Sequence, residues 1–353
     1  MGPFSRRLLV LSCATSVTAW LAHDARAADA ERASPPAPTC ERDSAHGWQG
    51  IVVSRDDPET AAAWSNGSLW VTRDDGRTWT RPLHLQRGYV ESAIALSDGR
   101  FAVLARDPSA LVLVRSDGRT TARRMPFEPR SIAGGSSTLA LVAEERVATS
   151  HDAGRSWRTA WRWRGGDHDY TSIRPIVELD GTLRVLSVDV NTCASVDRLE
   201  SVRMGVLHRD ATHVEPREYD LDRLRGAYTF ALGAHGWVYG WSGTQLLAVT
   251  RHRALPMRGY EPVLEDAADG YARRLSSGTN GRITLGVVGR DLLRLDGERA
   301  VWLASDAPPD VLEVQVDPRG RAWLLDDRGA VTRFSRRDGW TPILPGCAVP
   351  AVR

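Results

Sequence analysis

The chain has no lysine: all 46 of its Lys-plus-Arg residues are arginine. Schiff-base and lysine general-base chemistry are therefore excluded, since both need an amine that can shed its proton. Cysteine is scarce. Of four, Cys13 sits in the N-terminal apolar run. Cys40, Cys193 and Cys347 fit no zinc-binding spacing, so no metal and no cofactor is expected. An excess of one charge is missing too. Cleavage after Ala27 would remove Arg6, Arg7, Arg26 and Asp24, leaving 43 Arg against 43 Asp plus Glu. A net charge of zero argues against nucleic acid as a partner. No apolar run is long enough to span a bilayer; the longest, residues 8–22, has about 15 residues where ~20 are needed. Helical periodicity is absent beyond residue 27, which argues against a helix bundle.

The N-terminus carries an export signal instead. Arg6 and Arg7 form a charged lead, residues 8–22 the apolar stretch, and Ala25-Arg26-Ala27 a small-residue cleavage site. Export by the general secretory route is expected. Ser5-Arg6-Arg7-Leu8-Leu9 leaves the twin-arginine route open, and Cys13 stands too early for a lipoprotein site. The Pro/Ala-rich residues 28–47 read as a linker, and residues 347–353 as a short tail. The compartment permits disulfides.

Turn punctuation is abundant, with 31 Gly and 19 Pro. Between residues 48 and 346 the chain divides into units of roughly 35–50 residues: 48–83, 89–127, 129–163, 170–221, 226–259, 271–307 and 311–346. Each unit holds short apolar runs of strand length joined by Asp-Gly, Asn-Gly or Gly-Gly turns. Seven units of four antiparallel strands predict an all-β chain, a seven-bladed β-propeller. Six or eight blades are the alternatives, because the fourth unit is the longest. Within it, residues 189–204 read as a loop interrupting the second and third strands.

Two octapeptides share one pattern, Ser/Thr-x-Asp-x-Gly-x-Ser/Thr-Trp. They are Thr72-Arg73-Asp74-Asp75-Gly76-Arg77-Thr78-Trp79 and Ser150-His151-Asp152-Ala153-Gly154-Arg155-Ser156-Trp157. The Asp carboxylate can collect the turn's own N–H groups, Gly supplies the conformational freedom the turn needs, and the Trp returns across the hairpin with a large apolar surface. The octapeptide resembles the Asp box of the sialidase-type repeat, found on propeller blades of sialidases, sortilin-like receptors and photosystem II assembly-factor-like proteins. The resemblance implies a structural role for Thr72, Asp74, Gly76, Thr78, Trp79, Ser150, Asp152, Gly154, Ser156 and Trp157.

In a propeller the turns between strands one and two and between strands three and four share one face. The connections between blades lie on the other. Four first strands are expected to open with tyrosine at that second face: Tyr89, Tyr170, Tyr228 and Tyr271. The connection Asp167-His168-Asp169-Tyr170 adds two carboxylates and an imidazole. These residues form the candidate ligand-binding set, for a protein, peptide or glycan partner of an otherwise monomeric, non-catalytic assembly or scaffold factor. A sialidase-like glycosidase is the alternative. That family carries Arg-Ile-Pro near the start of its propeller, whereas this chain has only Ile173-Arg174-Pro175-Ile176, out of order and mid-chain. No catalytic residue is assigned. Cys40 and Cys347 flank the ring and are expected to form a disulfide, with Cys193 left free.

Overall fold

The computed structural model describes residues 47–346 apart from 116, 136–137, 144–145, 163–169, 192–197, 210–214, 220–228, 243, 251–252 and 262–274. Seven four-stranded sheets follow one another along the chain, each built from four consecutive strands paired in order and antiparallel. Blades 1 to 7 cover residues 50–84, 89–123, 131–162, 170–218, 229–256, 275–304 and 311–344. The first strands touch in sequence round a closed circle, blade 7 returning to blade 1. The chain is a seven-bladed all-β propeller; six and eight blades are set aside.

Periodicity explains the packing. In the second strand of blade 1, Ala61–Ser65, every residue is buried. Ala61 and Ala63 enter the apolar cluster shared with blade 7, while Ala62 and Trp64 enter the one shared with blade 2. Side chains alternate across a strand, and a blade has a neighbour on each face. Such strands read as continuous apolar runs, as when both faces of a sheet are covered. The same division recurs in Phe101–Arg106, whose Phe101 and Val103 face blade 1 and whose Ala102 and Leu104 face blade 3. The core is thus seven layers, one per interface between blades.

One expectation is corrected. Of residues 189–204, all but 192–197, which lie outside the described residues, are strand rather than loop. The second strand runs over Leu183–Asn191 and the third over Arg198–Leu207, paired residue against residue with one bulge near Val190. Polar residues alternating with Val and Leu at the outer ends, as in Ser187-Val188-Asp189-Val190, gave a loop-like composition to what is a long hairpin.

Among the described residues no strand is exchanged between the first and last blades. The ring closes through side chains. Asp75 leaves the turn of blade 1 at φ 66° and accepts a two-pronged guanidinium contact from Arg321 of blade 7, at 2.9 Å to each oxygen. Arg333 approaches the same carboxylate at 2.5 Å, and Arg321 Nε donates to Asp317 at 2.5 Å. Trp48 and Trp70 of blade 1 pack with Trp323 and Leu325 of blade 7 alongside.

Candidate functional site

Each first strand runs from an upper face, where the blade connections lie, to a lower face. The turns at 72–79 and 150–157 join third and fourth strands, so both lie on the lower face as expected. They are built alike. Thr72 Oγ1 donates to Asp74 Oδ1 at 2.9 Å and accepts the Gly76 N–H at 2.9 Å; Ser150 Oγ does the same for Asp152 and Gly154 at 2.7 and 2.8 Å. The Thr78 N–H and hydroxyl donate to the two Asp74 oxygens, as those of Ser156 do to Asp152. The Ser156 hydroxyl and N–H, then Ser150, hold the Asp152 carboxyl far below the usual carboxylate range. Burial alone would raise Asp74, but Thr78, Thr72 and the Arg77 N–H keep it low as well.

The returning tryptophans differ. Trp79 is 5% exposed, inside the cluster shared with blade 7. Trp157 is only half-buried against blade 2, with its indole N–H donated to the Arg124 carbonyl at 2.9 Å. The Asp74 and Asp152 carboxylates and the four hydroxyls are engaged within the turns, Asp75 pairs with the preceding blade, and Arg73 donates to the Gly99 carbonyl of the following one.

The lower mouth of the channel is crossed. Arg55, in the turn after the first strand of blade 1, donates to the Val177 carbonyl of blade 4 on the far side of the ring. Burial lowers its pKa, opposed by Asp56 and Glu178. Glu178 lies 3.0 Å from Arg184.

The upper mouth is different in character. Tyr89 opens the first strand of blade 2 and is 42% exposed. Leu312, second residue of the first strand of blade 7, is 57% exposed. It sits in a bulge between Val311 and Glu313, so it has no cross-strand partner. Blades 2 and 7 flank blade 1, so these two apolar side chains stand on one side of the ring. Near Tyr89, Arg106 pairs with Glu91 and Glu128. Below Leu312, Glu313 accepts the Ile51 N–H at 3.2 Å and Gln315 Nε2 at 2.7 Å. Burial pushes the Glu313 carboxyl up to about 7, against those two hydrogen bonds.

Of the residues expected at this face, Tyr89 stands at the mouth and Tyr170 is the first residue of its strand. Asp167, His168, Asp169, Tyr228 and Tyr271 lie outside the described residues, as do Cys40, Cys193 and Cys347. Sequence reasoning missed Leu312 and Arg55. The apolar pair Val311-Leu312 breaks the strand's alternation and was the one signal for the bulge; Arg55 had none. Among the described residues no group of three or more His, Cys, Asp or Glu is placed to hold a metal, and no helix is long and apolar enough to cross a membrane.

No family model and no curated protein matches the sequence. Solved structures do. YCF48 from Cyanidioschyzon merolae aligns over 85% of this chain and 99% of its own, with TM-score 0.56 and 13% identity. YCF48 bound to D1 peptide aligns over the same shares, with TM-score 0.54 and 13% identity. A virginiamycin B lyase from Staphylococcus aureus aligns over 83% of this chain and 96% of its own, with TM-score 0.54 and 11% identity. At such identities the likeness is one of fold: this chain shares the seven-bladed propeller with proteins of unlike activity.

Proposed function

We propose that this chain is an exported, non-catalytic propeller that holds a protein or peptide partner at its upper channel mouth, as an assembly or scaffold factor. The observation that carries the reading is the asymmetry of the two mouths. Arg55 reaches across the lower one to the Val177 carbonyl, whereas the upper one presents Tyr89 and Leu312 to solvent. Exposed aromatic and aliphatic groups at the rim of a rigid cavity suit side chains of a partner segment. Tyrosine does so with little rotamer entropy to lose. We read the turns at 72–79 and 150–157 as Asp boxes that brace this scaffold. The leader argues for export, and the peptide-bound YCF48 structure shows that a propeller of this shape can take a peptide.

The test is a crosslinking pulldown with the mature protein in its native envelope fraction, followed by affinity measurement on whatever partner is captured. Tyr89→Ala with Leu312→Ser should weaken binding at least tenfold, about 1.4 kcal/mol, with little change in melting temperature. Arg77→Glu and Arg155→Glu, on the lower face, should leave binding intact. The reverse pattern would move the partner to the Asp-box face and end this reading.

A further inference from the structure

On the lower face, away from the proposed partner site, a cleft opens between blades 3 and 4. Four cationic or proton-accepting side chains line it: His151 and Arg158 from blade 3, His208 and Arg209 from blade 4. The two imidazoles occupy the same place in their blades, one residue beyond the third strand. Each is fixed by a threonine at the start of its own second strand. Thr138 Oγ1 lies 3.1 Å from His151 Nδ1, and Thr182 Oγ1 lies 3.5 Å from His208 Nδ1. Nε2 is then each ring's remaining polar atom. Gly181, at φ 85°, leaves room for the Arg209 stem. A Cβ there would sit 3.2 Å from Arg209 Cδ and 3.4 Å from Thr138 Oγ1.

Among the described residues no carboxylate lines the cleft. The acids nearby are hydrogen-bonded in their own turns, Asp152 to Ser150 and Ser156, and Asp180 to the Thr182 N–H at 2.8 Å, with His208 helping to hold the Asp180 carboxyl low. Among the described residues neither Arg158 nor Arg209 forms an ion pair. Two guanidiniums and two imidazoles thus line one cleft, with Asp180 beside His208 as a nearby acid among the described residues. Arginine forks match the oxygens of phosphate and carboxylate. Two such forks can meet more of the oxygens of a tetrahedral phosphoryl group than of a single carboxylate.

We propose that the cleft between blades 3 and 4 binds a phosphoryl-type oxyanion, held by Arg158 and Arg209 with His151 and His208 beside them. The group is either free phosphate or a phosphate monoester on a larger molecule.

The test is calorimetric titration of the mature protein with inorganic phosphate and with glucose 6-phosphate, acetate serving as the single-charge comparison. Phosphate should bind with a dissociation constant of about 1 mM or tighter, and acetate at least tenfold more weakly. Tighter binding of the ester than of free phosphate would assign the site to a carried phosphoryl group, and the opposite order to the free ion. Arg158→Gln with Arg209→Gln should weaken phosphate binding at least tenfold while the unliganded melting temperature stays that of the parent. Arg337→Gln, a remote exposed arginine, should leave it unchanged. Undetectable phosphate binding, equal binding of acetate, or equal loss in the Arg337 variant would each overturn the proposal. Partner binding at the upper mouth is a separate readout, so failure of either site leaves the other standing.

Discussion

At the residue scale, position decides what an identical side chain is worth. Trp79 and Trp157 hold the same place in the same octapeptide, yet only Trp79 is fully enclosed. Trp79→Ala should cost about 3–5 kcal/mol, as for large buried aromatics. Trp157→Ala should cost distinctly less, since solvent already reaches its ring; chemical denaturation of the two variants compares them directly. Neither difference was legible in the sequence, where the octapeptides match at every key position. Burial there is set by what the preceding blade supplies: Ile343 and Trp323 beside Gly76, against Arg123 and Leu111 beside Gly154. Glu313 shows the same dependence on surroundings. Its carboxyl titrates near 7 in the fold and near about 4.3 in an unfolded chain. The folded state therefore keeps its proton across that window while the unfolded state loses it. Stability should decline as pH rises from about 4.3 to 7, by about 1–2 kcal/mol after allowing for water in the channel. Glu313→Gln should remove this slope, leaving the variant the more stable form at pH 8. Melting temperatures at pH 5 and pH 8 check it, and an unchanged slope would place the titration elsewhere.

At the element scale, the turns were the most legible part of the chain. Asp, Gly and the two hydroxyl residues at fixed spacing specify the hydrogen bonds found, because each donor and acceptor lies within the same eight residues. What such a turn touches is set from outside it. The residue after the Asp is Asp75 in one copy and Ala153 in the other, at φ 66° and 55°. Arg123 meets the Ala153 carbonyl at 3.3 Å, whereas Asp75 meets Arg321 and Arg333 through its carboxylate. Asp75→Ala would leave the buried Arg333 guanidinium with the residue-75 carbonyl and no carboxylate, and Arg321 with Asp317 and the Pro58 carbonyl, at about 1–3 kcal/mol, although Asp74 would still shape the turn. Urea unfolding of Asp75→Ala beside Ala153→Ser, expected to be near neutral, distinguishes this from a general effect of altering the turn.

At the scale of the whole molecule, the blade count and boundaries were readable because each blade is one continuous stretch with its own turn signals. The upper-face site was far less so. It is assembled from blades distant in sequence, and Leu312 joins Tyr89 only once the ring closes. The two ends of the described stretch also meet only there. Gly47 and Gly346 both pack against the carbonyl of Arg328, where an added Cβ would lie 2.8 and 2.9 Å from that oxygen. Since Cys347 follows Gly346 directly and Cys40 lies seven residues before Gly47, we propose that these two cysteines are bonded and Cys193 is free. A non-reducing peptide map should show that pair, and reduction should lower stability by roughly 3–5 kcal/mol; Cys193 paired with either partner would refute it. The side-chain seam between blades 7 and 1 has one more consequence. Because no strand among the described residues is shared across it, the blades follow one another in a cyclic order. Joining residues 346 and 47 through a short linker and opening the chain between blades 6 and 7 would cut no sheet and strand no backbone hydrogen bond of a blade.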